Sequence, residues 1–201
     1  MRIKRMYIEG AYSFPTLDFD FTDHSGGVTI ILGKNLDQKT NNGAGKSTIL
    51  KCLYLLAYGK DLNGANIDDA ISLNSPKGGF SGFLEFEDKG SNFKITRYRK
   101  AAPREDGIKL HDGKPVSGNG IEFMMDDMCL NGESDPQTQK IIENKLRISP
   151  RLFLSSVLMA QNSRENFLEA TDVKKKELLS ELLDLTEYGK AFENIKKEIK
   201  N

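Results

Sequence analysis

Long apolar runs are missing from this 201-residue chain. No stretch approaches the ~20 residues that a membrane helix requires, so the chain does not read as membrane-spanning. The opening residues, MRIKRMYIEGAYSF, carry charges and no continuous apolar core, so they do not read as a secretory signal. A cytoplasmic location is the expectation. Cysteines number two, Cys52 and Cys129. They are too few and too far apart for a disulfide framework or a metal site, and read as idle thiols in a reducing compartment. Net charge is missing too, with Lys+Arg and Asp+Glu at 29 each. Bulk charge therefore gives no reason to expect a nucleic-acid partner, although a local basic surface stays open. A hydrophobic fraction of 38% with 29% charged residues fits a well-solvated globular protein.

What is there reads as α/β. Arg2 to Ile8 and Leu17 to Phe21 show the period of two that marks strands. Val28-Thr-Ile-Ile-Leu32 is a continuous apolar run ahead of a glycine, as in a strand buried on both faces. Lys46 to Tyr58 carries Ile49, Leu50, Leu53, Leu56 and Ala57 at helical spacing, and Gly59 suits the helix end. Lys60 to Gly79 is a polar connection. Phe80 to Phe86 and Phe93 to Arg99 read as antiparallel strands about an Asp88-Lys-Gly90 turn. Ile108 to Leu110 and Lys114 to Val116 suggest a small hairpin. From Gly120 onward the pattern reads as mainly helical, with helices expected over 136–146, 150–159 and 171–185. Leu185, Tyr188, Phe192, Ile195 and Ile199 then follow the alternating spacing of three and four that marks a coiled-coil seam.

The motif with chemistry in it is Asn42-Gly43-Ala44-Gly45-Lys46-Ser47-Thr48, between the apolar run and the helix. Glycines let a backbone approach an anion closely, and a helix N-terminus offers unsatisfied N–H groups and partial positive charge. In such a phosphate loop Lys46 reaches the β- and γ-phosphates of a nucleotide and Ser47 holds Mg²⁺ through its hydroxyl. The usual pattern has a glycine six residues before the lysine, where this chain has Thr40. Gly33, followed by Lys34 and Asn35, is the counterpart, with a polar insert between it and Gly43. The competing reading, a glycine-rich turn that merely caps a helix, fits the Gly-Lys-Ser-Thr string poorly.

A self-contained phosphate-loop enzyme also needs an acidic residue at the end of a second buried strand. The nearest string is Phe123-Met-Met-Asp126-Asp127, which reads more naturally as a helix face. Phe83-Leu-Glu-Phe-Glu87 alternates, which sets its carboxylates on a solvent face. No Leu-Ser-Gly-Gly type signature follows the loop. The chain thus offers half of an ATP site.

The opening strands, the loop, the Thr96-Arg-Tyr-Arg99 strand and above all Ile148-Ser-Pro-Arg-Leu-Phe-Leu-Ser-Ser-Val-Leu-Met-Ala-Gln161 resemble the N-terminal segment of SMC-like DNA double-strand-break repair ATPases, including their phage recombination counterparts. The resemblance implies the N-terminal lobe of an ABC-type P-loop ATPase head: a mixed sheet with antiparallel strands, a P-loop helix and a helical Q-loop region leading into a coiled coil. Residues 1–170 would form the lobe, and 171–201 a helical region with the start of the coiled coil. It implies ATP and Mg²⁺ as ligands, with Gly33, Asn35 and Asn42 to Thr48 around the phosphates. Gln161 would join Ser47 at the metal and orient the attacking water. It implies as partners a C-terminal lobe of the same ATPase, a second head in an ATP-dependent dimer, a nuclease subunit and DNA. The location would be the host cytoplasm or nucleoid if the chain is phage-encoded. The family often has a basic residue in the early loop, but Gly10-Ala-Tyr-Ser13 has none.

Other readings stay open. The chain could be a non-catalytic nucleotide-binding fragment, or belong to an ABC ATPase of the gap-repair or chromosome-structure type. Gln161 could be an ordinary polar residue at a helix end. Lys174-Lys-Lys176 could touch DNA phosphates, but a solvated helix face is the simpler reading. His24 and His111 lie in turn-like settings and are assigned no chemistry.

Overall fold

The structure is a computed structural model that describes residues 1–22, 28, 30–34, 45–62, 65–73, 75, 78–154 and 171–183. The chain divides into two units, Met1–Leu146 and Arg147–Asn201.

The first unit is built on a six-stranded antiparallel sheet in the order β2-β1-β3-β4-β5-β6. Its strands are β1 (Arg2–Ala11), β2 (Phe14–Asp20), β3 (Phe80–Asp88), β4 (Ser91–Ala101), β5 (Gly118–Met125) and β6 (Met128–Cys129). Alternation chooses the faces. Met6 pairs with Leu84, Leu84 with Ile95 and Ile95 with Phe123, so these four side chains stand in one row across the sheet. All four are 2% exposed or less. Phe93 stacks on Phe123 of this row and on Phe86, with ring centroids 5.9 and 5.2 Å apart. Helix α1 (Lys46–Tyr58) and helix α2 (Asp135–Leu146) cover this row. α1 contributes an unbroken buried stretch from Cys52 to Tyr58. Burying one such leucine is worth about 1.5–3 kcal/mol. Tyr54 and Tyr58, one helical turn apart, pack with ring centroids at 5.1 Å.

The β3–β4 turn is tight because Lys89 and Gly90 both take positive φ, 52° and 84°. The small hairpin forms as its pattern implies: Val116 N–H donates to Ile108 O at 3.0 Å, and Leu110 N–H to Lys114 O at 2.9 Å. It is tied to the sheet face opposite the helices by a hydrogen bond from His111 N–H to Glu122 Oε1 at 3.0 Å.

Two expectations fail. Residues 118–125 form a strand, not a helix, and Asp126 and Asp127 lie in the turn to β6. The run Ile121 to Met124 is buried on both faces, by the helices on one side and beneath the hairpin on the other, which erases the period of two. Asp126 has φ 50° and its Oδ1 accepts from Asn92 N–H at 3.0 Å, so its carboxylate closes a turn. The second failure is Val28 to Leu32. Its described members form no strand, and Val28, Ile30 and Leu32 are 93%, 76% and 87% exposed. A strand buried on both faces needs neighbours to pair with, and this run has none among the described residues.

The second unit contains a short turn α3 (Pro150–Leu152) and helix α4 (Asp172–Leu182). Ser149 caps α3, its hydroxyl accepting from Leu152 N–H at 3.1 Å, with proline at the first helical position. Arg151 donates to Glu177 at 3.3 Å. The coiled-coil seam from Leu185 lies outside the described residues. No helix among the described residues is long and apolar enough to cross a membrane.

Candidate functional site

The site is built around the N-terminus of α1. Gly45 precedes the helix with φ 77° and ψ 7°, a left-handed conformation that glycine adopts without penalty. A Cβ at this position would lie 2.9 Å from Phe14 Cζ, so β2 approaches from below. No side chain caps this end of the helix, and the first turn holds no acidic residue. The partial positive charge of the helix therefore has no carboxylate beside it within the turn. Lys46 and Ser47 are exposed and Thr48 is half-buried. A helix N-terminus with these groups suits a phosphate-bearing ligand: backbone N–H groups, one ammonium, one hydroxyl and no carboxylate in its first turn.

Two contacts fix the helix that carries these groups. At its first turns, Lys51 Nζ lies 5.5 Å from the centre of the Tyr12 ring, in the β1–β2 turn. The Tyr12 hydroxyl donates to Asp61 Oδ1 at 2.8 Å. Burial, with help from the Asp61 carboxylate, raises the Tyr12 pKa well above the ordinary tyrosine value and keeps the donor protonated. At the other end, Gly59 closes the helix with φ 66°, donating its N–H to Leu55 O at 2.8 Å. Arg97, from β4, lies against it. Arg97 Nε donates to Leu56 O at 3.2 Å and Nη2 to Gln139 Oε1 at 2.6 Å. Burial lowers its pKa to about 10, partly opposed by Asp135 and Glu143, so it is a cation at neutral pH. A cation suits this position, where the last carbonyls of α1 carry partial negative charge.

Of the residues expected at the phosphates, Gly33, Gly45, Lys46, Ser47 and Thr48 are described, and the last four form one continuous turn at the head of α1. Gly33 is half-buried at the end of the exposed apolar run. Asn35, Asn42, Gly43, Ala44 and Gln161 lie outside the described residues. The early loop has Tyr12 where a basic residue was sought, and Tyr12 instead braces α1. Lys174 and Lys176 are exposed on α4. Arg97 was visible in the sequence only as part of a string. Its position in the apolar row of β4, two residues after Ile95, is the signal that it is buried.

Comparison with known proteins decides the family. A family model described as an AAA domain matches residues 5–201. The chain belongs to the AAA domain family. This AAA domain is 28% identical over 195 residues to a "DNA double-strand break repair Rad50 ATPase" of Methanococcus maripaludis, covering 97% of the chain and 17% of that protein. It is 28% identical over 163 residues to a "Probable exonuclease subunit 2" of Escherichia phage T5, covering 80% of the chain and 24% of that protein. A Rad50 ATPase of Methanocaldococcus jannaschii is 26% identical over 177 residues, covering 87% of the chain and 15% of that protein. The chain thus spans between about a seventh and a quarter of the length of these relatives. The AAA domain is similar to the N-terminal segment of SMC-like DNA-repair ATPases, as its motifs imply, and its family is one of ATPases.

Proposed function

We propose that the chain is the ATP-binding N-terminal lobe of an SMC-like ATPase head that works with a nuclease subunit on DNA ends. The observation that carries this reading is the N-terminus of α1, which follows a left-handed glycine, has no acidic residue in its first turn and presents Lys46 and Ser47. Gly33, Asn35 and Asn42 to Thr48 would surround the phosphates. Lys46 would stabilise charge on the phosphoryl group, and Ser47 with Gln161 would hold Mg²⁺. The Mg²⁺ ion neutralises phosphate charge when bound. Gln161 suits this role because an amide can ligate a metal and orient a water without adding charge.

The exposed run at Val28 to Leu32 supports the second part of the reading. Neighbouring large apolar side chains facing solvent, here Val28, Ile30, Ile31 and Leu32, mark a surface that another segment covers. We assign the cover to a C-terminal lobe of the same ATPase, which would add strands beside this run and supply the acidic residues that the chain lacks. Two heads would then close on two nucleotides. Residues 1–170 would form the lobe, and 171–201 would lead into a coiled coil where the nuclease subunit would dock.

The direct test is equilibrium binding of Mg-ATP to the chain. Wild type is expected to bind saturably. Lys46→Ala is expected to weaken binding at least tenfold while leaving the circular dichroism spectrum unchanged, because its side chain is exposed. Equal affinity in the two proteins would contradict the assignment of the phosphate site.

A further inference from the structure

Three potential metal ligands from separate parts of the first unit meet on the sheet face opposite the helices. They are His111 at the tip of the small hairpin, Glu122 on β5 and Cys129 on β6, with ligand atoms all within 4.8 Å of one another. Topology makes the cluster. Met124 pairs with Cys129, so Glu122 and Cys129 stand on the same face one diagonal apart, and the hairpin brings His111 over them. His111 Nδ1 lies 2.5 Å from Glu122 Oε1.

Glu122 gives the cluster its significance. It is 4% exposed. Both hydrogen bonds to its carboxylate among the described residues come from His111, through the backbone N–H and Nδ1, and both end on Oε1. Among the described residues no lysine or arginine pairs with it, and its ionic partner is His111, a cation only when protonated; a buried carboxylate is ordinarily paired with a cation or bound to a metal. Directly across the ladder from Glu122 stands Thr96, fully buried, whose hydroxyl has no hydrogen-bond partner among the described residues. Beside the carboxylate that His111 holds, this orphan hydroxyl marks a polar pocket that the described groups leave partly unsatisfied. His111 and Cys129 at its rim are both exposed, so an ion has a way in.

We infer that His111, Glu122 and Cys129 form a binding site for a zinc-class divalent cation. One imidazole, one thiolate and one carboxylate match the preferences of Zn²⁺ rather than those of Mg²⁺ or Ca²⁺, which favour all-oxygen sets. Three protein ligands leave the fourth tetrahedral position for water. A tetrahedral zinc site sets its nitrogen and oxygen ligands about 3.3 Å apart, so Nδ1 and Oε1 separate slightly on binding. The ring proton moves to Nε2, and the Cys129 thiol gives up its proton to solvent. The ion then ties the hairpin to the β5–β6 edge of the sheet.

The test is metal titration of the full chain, with Zn²⁺ against a competing chelator and Co²⁺ as a spectroscopic probe. Wild type is expected to bind one Zn²⁺, and its Co²⁺ form to show a thiolate charge-transfer band in the near ultraviolet. Cys129→Ser changes one exposed atom, so the fold should survive. It is expected to abolish that band and to weaken Zn²⁺ binding at least about tenfold. His111→Ala is expected to weaken binding by a similar factor, and His24→Ala to leave it unchanged. Zn²⁺ is also expected to protect Cys129 from thiol reagents. A wild type that binds no Zn²⁺ saturably overturns the inference, as does binding undiminished in both Cys129→Ser and His111→Ala.

Discussion

Replacing Gly59 with alanine tests how the helix carrying the phosphate site is anchored. An L-residue pays about 1–2 kcal/mol to hold the left-handed conformation, here φ 66°. The new Cβ would lie 2.5 Å from Arg97 Nη1 and 2.9 Å from its Cζ. This guanidinium is no loose chain end, since it is 8% exposed and held by Leu56 O and Gln139 Oε1. Displacing it from one charge-assisted hydrogen bond costs about 1.5–3 kcal/mol. Reduced freedom of the unfolded chain offsets about 0.4–1 kcal/mol. The net expectation is a loss of about 2–4 kcal/mol. At about 2–4 °C per kcal/mol for a chain of this size, Tm should fall by about 4–16 °C. Urea unfolding followed by circular dichroism measures it, for Gly59→Ala, Arg97→Met and the double variant. A methionine can yield to the new methyl group, so in that background only the backbone cost should remain, giving a coupling energy of about 1.5–3 kcal/mol. A loss below about 1 kcal/mol, or no coupling, would refute the packing of Arg97 against the helix end.

Two further predictions concern titration and thiols. Asp68 accepts from Arg99, and Lys100 Nζ lies 2.8 Å away, so these cations hold its carboxyl below the ordinary pKa. A depressed folded pKa gives stabilisation that is complete above about pH 4 and lost as pH falls through the lower folded value. Asp68→Asn should therefore flatten the acid limb of a plot of urea midpoint against pH, and a limb unchanged in slope would count against the pairing. Burial pushes the Cys52 thiol up to about 12, whereas Cys129 is exposed. A thiol reagent at pH 8 should modify one cysteine per native chain rapidly, and none in Cys129→Ser; two fast thiols would contradict the burial of α1.

How far the sequence was legible depended on whether each residue's environment came from nearby or from afar. α1 was readable from Ile49 to Ala57, and Gly59 marked its end, because periodicity and capping are local. The β3–β4 hairpin was readable from Lys89-Gly90 for the same reason. β5 was not, because a hairpin from residues 108–116 buries its second face and removes the alternation. Arg97 looked like one more charged residue until the register placed it in the row of Ile8, Gly82 and Ile121, on the same buried face as Ile95. His111 and Cys129 had no visible connection until pairing across β5 and β6 brought them to Glu122. Val28 to Leu32 was read as a buried strand from composition alone, and composition carries no information about whether pairing partners exist.

The central claim is that the chain supplies one part of a divided ATP site. It is tested most directly by Mg-ATP hydrolysis, measured for the chain alone, for a separately expressed C-terminal segment, and for the mixture, with Lys46→Ala as control. The account predicts turnover in the mixture, abolished by Lys46→Ala, and little in either part alone. Turnover by the chain alone that Lys46→Ala abolishes would contradict it, since the metal-binding carboxylate would then have to lie within these 201 residues.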